Sequence, residues 1–152
     1  MTYFKLKNIF FVSLFFLILF SHQTGCAQEN NSINDSIKAY TIENCVNQFN
    51  MADTIKTKVG YQYWFADKDF LDGRTLKMSV VAPHESTHAP HKHLEDEFFF
   101  VLEGKATFYL DGKSTTVAAY TSLYCPSMVM HGISNAGDTE LKYLVIKKYQ
   151  KK

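Results

Sequence analysis

The residues able to do chemistry are concentrated in one stretch, His91-Lys92-His93-Leu94-Glu95-Asp96-Glu97, followed by Phe98-Phe99-Phe100-Val101-Leu102-Glu103-Gly104. On an extended strand side chains alternate faces, so His91 and His93 project to the same side, where two imidazoles can share one metal ion. With that period unbroken, Glu97 falls on the same face. It adds a hard anionic oxygen to two borderline nitrogen donors, the mixture expected for a divalent transition metal. Glu95 has the same parity and is the rival carboxylate. A third imidazole must come from elsewhere, and the only histidine downstream is His131, set in Pro126-Ser127-Met128-Val129-Met130-His131-Gly132-Ile133-Ser134-Asn135.

The arrangement His-x-His, three residues, Glu, six residues, Gly, matched by His91, His93, Glu97 and Gly104, resembles the first motif of the cupin superfamily. The second stretch resembles the second cupin motif, through Pro126, His131 and Asn135. Glu85, Tyr120 and Met128 stand where these motifs usually carry glycine, which bears on loop geometry and leaves the ligand positions filled. The spacing to Gly104 selects Glu97 over Glu95. The resemblance runs from about Tyr61 to Lys148. It implies an all-β fold, a small antiparallel β-barrel or double-stranded β-helix of jelly-roll type. It also implies one divalent transition metal ion (Mn, Fe, Ni, Co, Cu or Zn) on His91, His93, Glu97 and His131, with positions left for water or substrate. Small cupins frequently dimerise, so it further implies a homodimer.

The elements that must position these groups read as strands. Tyr61 to Ala66, Thr75 to Ala82, Asp96 to Leu102, Lys105 to Leu110, Ser114 to Val117, Ser122 to Cys125, Gly132 to Asn135 and Leu141 to Lys148 are expected to be extended, after a short first strand between Thr54 and Gly60. Asp72-Gly73, Glu103-Gly104, Asp111-Gly112 and Ala136-Gly137-Asp138 supply turn residues that tolerate positive φ. If Glu97 points inward, so do Phe99 and Val101, while Phe98, Phe100 and Leu102 point outward. Those outward side chains need a cover, from the chain's own N-terminal segment or from a second subunit. Strand parity and motif position suggest Tyr63, Met78, Phe99, Tyr109, Met128 and Tyr143 as pocket lining. Arg74 and Lys77 read as surface residues, with a substrate carboxylate as the sharper alternative. His84 and His88 read as loop histidines, the alternative for them being an acid or base at the rim. Lys147, Lys148, Lys151 and Lys152 read as a solvated basic terminus.

Upstream, Lys5 and Lys7 precede an apolar run from Ile9 to Phe20 and the small residues of Gly25-Cys26-Ala27. Residues 1–27 therefore read as a signal peptide, with a lipoprotein anchored at Cys26 as the alternative. The run is shorter than the about 20 residues that span a bilayer, so no stable membrane span is expected in a mature, exported (periplasmic or secreted) chain. Residues 28–54 read as a flexible N-terminal segment and 55–150 as the cupin domain. The leader takes Lys5 and Lys7 from the 16 basic residues and none of the 15 acidic ones, leaving a charge near zero. No basic face points to nucleic acid. Cys45 and Cys125 can be read as a disulfide or as free thiols, and neither has the spacing of a zinc or redox site.

The function expected from these features is metal-dependent action on a small-molecule substrate, an oxygenated compound, by isomerase or lyase chemistry on a sugar acid or by dioxygenation. The alternative is a non-catalytic module that uses the metal to hold a small ligand.

Overall fold

The computed structural model describes residues 40–150. The expected leader and the first part of the segment after it, residues 28–39, lie outside the described residues. A one-turn helix α1, Ile42–Cys45, opens on a capping box in which Thr41 and Asn44 satisfy each other's backbone N–H. A single 3-10 turn, Met51–Asp53, follows. The strands are β1 Ile55–Thr57, β2 Gly60–Leu71, β3 Arg74–Val81, β4 Glu97–Glu103, β5 Lys105–Leu110, β6 Lys113–Ala118, β7 Ser122–Cys125, β8 His131–Asn135 and β9 Leu141–Lys148. They form a sheet of order β1-β2-β3-β9-β4-β7 and a second of order β6-β5-β8, with every pairing antiparallel.

This is the small antiparallel β-barrel expected from the sequence, and its turns follow from sequence chemistry. At Asp72-Gly73 and Asp111-Gly112 both residues take positive φ, the primed hairpin turn whose twist matches the flanking strands. Gly104 is needed for space as well: at φ 88° a Cβ there would lie 2.7 Å from the Glu140 carbonyl oxygen. Tyr120 and Met128 sit at φ 62° without being glycine. The left-handed conformation usual at these positions is thus kept by residues with side chains, at a cost of about 1–2 kcal/mol each.

The core lies between the sheets. Phe99, Val101, Leu123, Leu141, Tyr143 and Val145 come from the larger sheet and Ala106, Phe108 and Ile133 from the smaller. A second apolar cluster of Tyr63, Met78 and Val80 lies on the other face of the larger sheet. Residues 47–49 close over it: the Tyr63 hydroxyl donates to Asn47 Oδ1 and is 2.9 Å from the Gln48 carbonyl, and the Phe49 ring packs edge-on against Tyr63.

Tyr63 and Met78 are therefore not pocket lining, contrary to expectation. Tyr143 faces inward and pairs with Ser79, which fixes Ser79, Lys77 and Thr75 as the inward residues of β3 and turns Met78, with its partner Tyr63, outward. An apolar-inward assignment fails here because this part of the barrel interior is polar. Tyr109 is likewise turned away from the interior, its neighbour Phe108 being the buried one, and Met128 is half exposed on its turn. Phe99 and Tyr143 do line the cavity.

Candidate metal centre

The expected regular strand through His91 does not form. β4 begins only at Glu97, and His91 is held instead by a two-way backbone bridge to His131, N to O at 2.9 Å in both directions. Met128 N–H donates to the His93 carbonyl and the Ser127 hydroxyl to the Leu94 carbonyl, so the segments leading into β4 and β8 are tied together at three points. His91, His93 and Glu97 thus converge through loop pairing rather than through strand parity.

The three imidazoles are brought together with ligating atoms within 4.8 Å of one another. Glu97 Oε1 is 3.1 Å from His131 Nε2 and 3.6 Å from His93 Nε2. Each ring is oriented by a backbone carbonyl at Nδ1: Ala89 O at 3.1 Å for His91, Glu95 O at 2.7 Å for His93 and Val129 O at 2.8 Å for His131. A carbonyl can only accept, so Nδ1 carries a hydrogen on all three rings, and in the neutral imidazole Nε2 is then left with its lone pair. That is the arrangement in which outer partners orient histidines for a metal.

The donor set passes a further test of fit. His131 is fully buried and Glu97 is 6% exposed, and with a neutral imidazole protonated at Nδ1 their closest atoms are both acceptors. Two acceptors at 3.1 Å in a buried setting repel unless a proton or a metal cation is shared between them. Three neutral imidazole nitrogens and one carboxylate supply donors suited to a divalent transition metal.

One row of inward side chains crosses the larger sheet at this level: Thr75 on β3, Lys147 on β9, Glu97 on β4 and Cys125 on β7. Lys147 is consequently inside the barrel and not in a solvated tail. Its Nζ lies 3.1 Å from His93 Nε2, 3.7 Å from Glu95 and 3.9 Å from Glu97. Its inward parity with Tyr143 and Val145 was the available signal. Cys125 packs beside Glu97 and His131. Burial first, and the Glu97 charge second, push its thiol up to about 12, so it stands there protonated. Cys45 is exposed, and both cysteines are free.

A cavity of about 400 Å³ opens onto the histidines and is walled by Trp64, Thr75, Lys77, Ser79, Tyr143 and Lys147, among others. Lys77 is thus a cavity residue rather than a surface one, whereas Arg74 is exposed as expected. Burial lowers the Lys77 pKa, with Glu97 opposing that and Lys147 adding to it. His88 stands at the rim with its ring 5.8 Å from that of His91. His84 is an exposed loop residue paired with Asp138.

Comparison with known proteins agrees with this fold. The chain is 32% identical over 65 residues to the oxalate-binding protein of Thermotoga maritima, across 42% of this chain and 54% of that protein. It is also 32% identical over 66 residues to an uncharacterized protein of Methanocaldococcus jannaschii, across 43% and 53%. The chain spans about half the length of the curated relatives it matches. Similar solved structures include a predicted oxalate decarboxylase from Thermotoga maritima, with TM-score 0.55, 24% identity and coverage of 58% of this chain and 78% of that one. A Cupin 2 conserved barrel domain protein from Salinispora arenicola aligns with TM-score 0.57 and 19% identity over 68% and 87%. Those two likenesses speak to the fold. Residues 77–147 match the Cupin domain family, and with the barrel and both sequence motifs in place the chain belongs to the cupin superfamily.

Proposed function

We propose that His91, His93, Glu97 and His131 hold one divalent transition metal ion and that the cavity presents it to a small oxygenated molecule, as in a metal-dependent cupin enzyme of isomerase, lyase or dioxygenase type. The observation that carries this reading is the buried His131–Glu97 pair, 3.1 Å apart beside two more imidazoles, with a backbone carbonyl at Nδ1 of each ring so that Nε2 is the atom turned to the shared site. Bound there, the ion would polarise a carbonyl or carboxylate oxygen or lower the pKa of a water. The chain's own contribution is to fix the ring orientations through Ala89, Glu95 and Val129, to keep the carboxylate buried, and to wall the site with Tyr143, Phe99 and Val145.

A non-catalytic binding module is the second reading. The Thermotoga maritima relative named for oxalate binding favours it and supports a small, oxygen-rich ligand in either case. The test is metal analysis of the purified protein, followed by a substrate screen under air and under nitrogen. A His91→Ala, His93→Ala double variant should lose the metal, and full occupancy in it would refute the assignment. Affinity should also fall on acidification, because protons compete for the same Nε2 lone pairs. A ligand returned chemically unchanged would select the binding module. Export with cleavage after Ala27, or lipidation at Cys26, belongs to the same proposal and is decided by N-terminal sequencing. So does a homodimer built on the outward face of β4.

A further inference from the structure

Among the residues lining the cavity the fixed charges are Lys77, Lys147 and Glu97. Lys147 is accounted for, since it faces His93 and two carboxylates. Lys77 is not. Its ammonium has no carboxylate within 4.0 Å among the described residues, and it lies over the Trp64 ring, 5.1 Å from the centroid. Both side chains project from paired inward positions, Trp64 on β2 and Lys77 on β3, so the sheet register fixes them side by side. A partly buried cation without a counter-ion is costly, and an indole face offsets only part of that cost. A divalent ion added to two lysines and one carboxylate would leave the cavity with three net positive charges, a strong field for an anion.

We infer that Lys77 and Trp64 form an anion subsite separate from the metal ligands, and that the molecule taken by this cavity is a small organic acid with two oxygen-donor groups. One group goes to the metal. The other, a carboxylate, pairs with the Lys77 ammonium above the indole. The cavity, at about 400 Å³, lies at the small end of ligand pockets and suits a compact molecule. This assignment rests on the metal reading above, in that the first group needs the ion.

The test is calorimetric titration of oxalate, malonate and succinate into the metal-loaded protein, with acetate and neutral malonamide as controls. At least one dicarboxylate should bind about tenfold or more tightly than acetate, and malonamide should bind far more weakly than malonate. Lys77→Met and Lys77→Gln should each cost that dicarboxylate about tenfold while leaving acetate and the metal affinity within about twofold, and Lys77→Arg should restore most of it. Unchanged dicarboxylate affinity in both neutral variants would overturn the subsite. So would a dicarboxylate series no tighter than acetate, or a diamide as tight as the dianion. Metal affinity, measured first without any acid, separates the two proposals: loss of the metal reading shows there, whereas loss of the subsite shows only in the acid titrations.

Discussion

Lys147 Nζ stands 3.1 Å from Nε2 of His93, on the one ring atom that a metal would need. The register of β9 against β4 places it there, directly beside Glu97. The ammonium therefore acts as an internal cation for Glu95, Glu97 and His93, and it must withdraw or share the site when an ion enters.

Replacing it should tighten metal binding. A unit charge about 4 Å from an ion is worth several kcal/mol at an effective dielectric near 20, and less once the flexible side chain swings aside. Lys147→Met should accordingly raise metal affinity on the order of tenfold in a chelator competition. The metal-free variant should melt lower than the parent, because it leaves two carboxylates without their cation. Weaker metal binding in this variant would mean that the lysine supports the loaded site instead.

The Cys125 thiol, held up to about 12 by burial and by Glu97, should be unreactive. At pH 8.5 iodoacetamide should modify the exposed Cys45 in the native protein and reach Cys125 only in denaturant, as read by peptide mass mapping. Native-state labelling of Cys125 at the rate of Cys45 would contradict the burial described here.

Asn135 is a connector. Its Nδ2 lies 3.0 Å from the carbonyls of Val81 and Ala82 and 2.7 Å from that of Thr139, and its Oδ1 accepts from Gly137 N–H. Asn135→Ala would strand several of these buried groups and should cost on the order of 3 kcal/mol in urea denaturation. Metal affinity of the folded fraction should stay nearly unchanged, since no ligand is touched.

On the outer face of the larger sheet Phe98, Tyr124 and Ile146 are 43%, 45% and 46% exposed and adjacent in register, beyond the area covered by residues 47–49. Phe98→Glu with Ile146→Lys should convert a dimer into monomers in light scattering at micromolar concentration. A parent protein that is already monomeric would remove the dimer from the proposal.

The all-β architecture and most strand positions were legible because they are local. Period-two patterning and paired turn residues such as Asp72-Gly73 and Asp111-Gly112 depend on neighbours along the chain. The identities of the four candidate donors were legible for a similar reason, as residue types at set spacings. How they meet was not. A regular strand through His91 was a local extrapolation, whereas the convergence comes from the His91–His131 bridge, a contact between a loop and the start of β8, forty residues further along the chain. The facing of β3 was likewise decided by its pairing with β9, which turned Lys77 in and Met78 out. Lys147 shows the same division: its charge is written in the sequence, but its place beside Glu97 depends on two strands coming into register, and pairing between distant strands is set by the packed barrel as a whole.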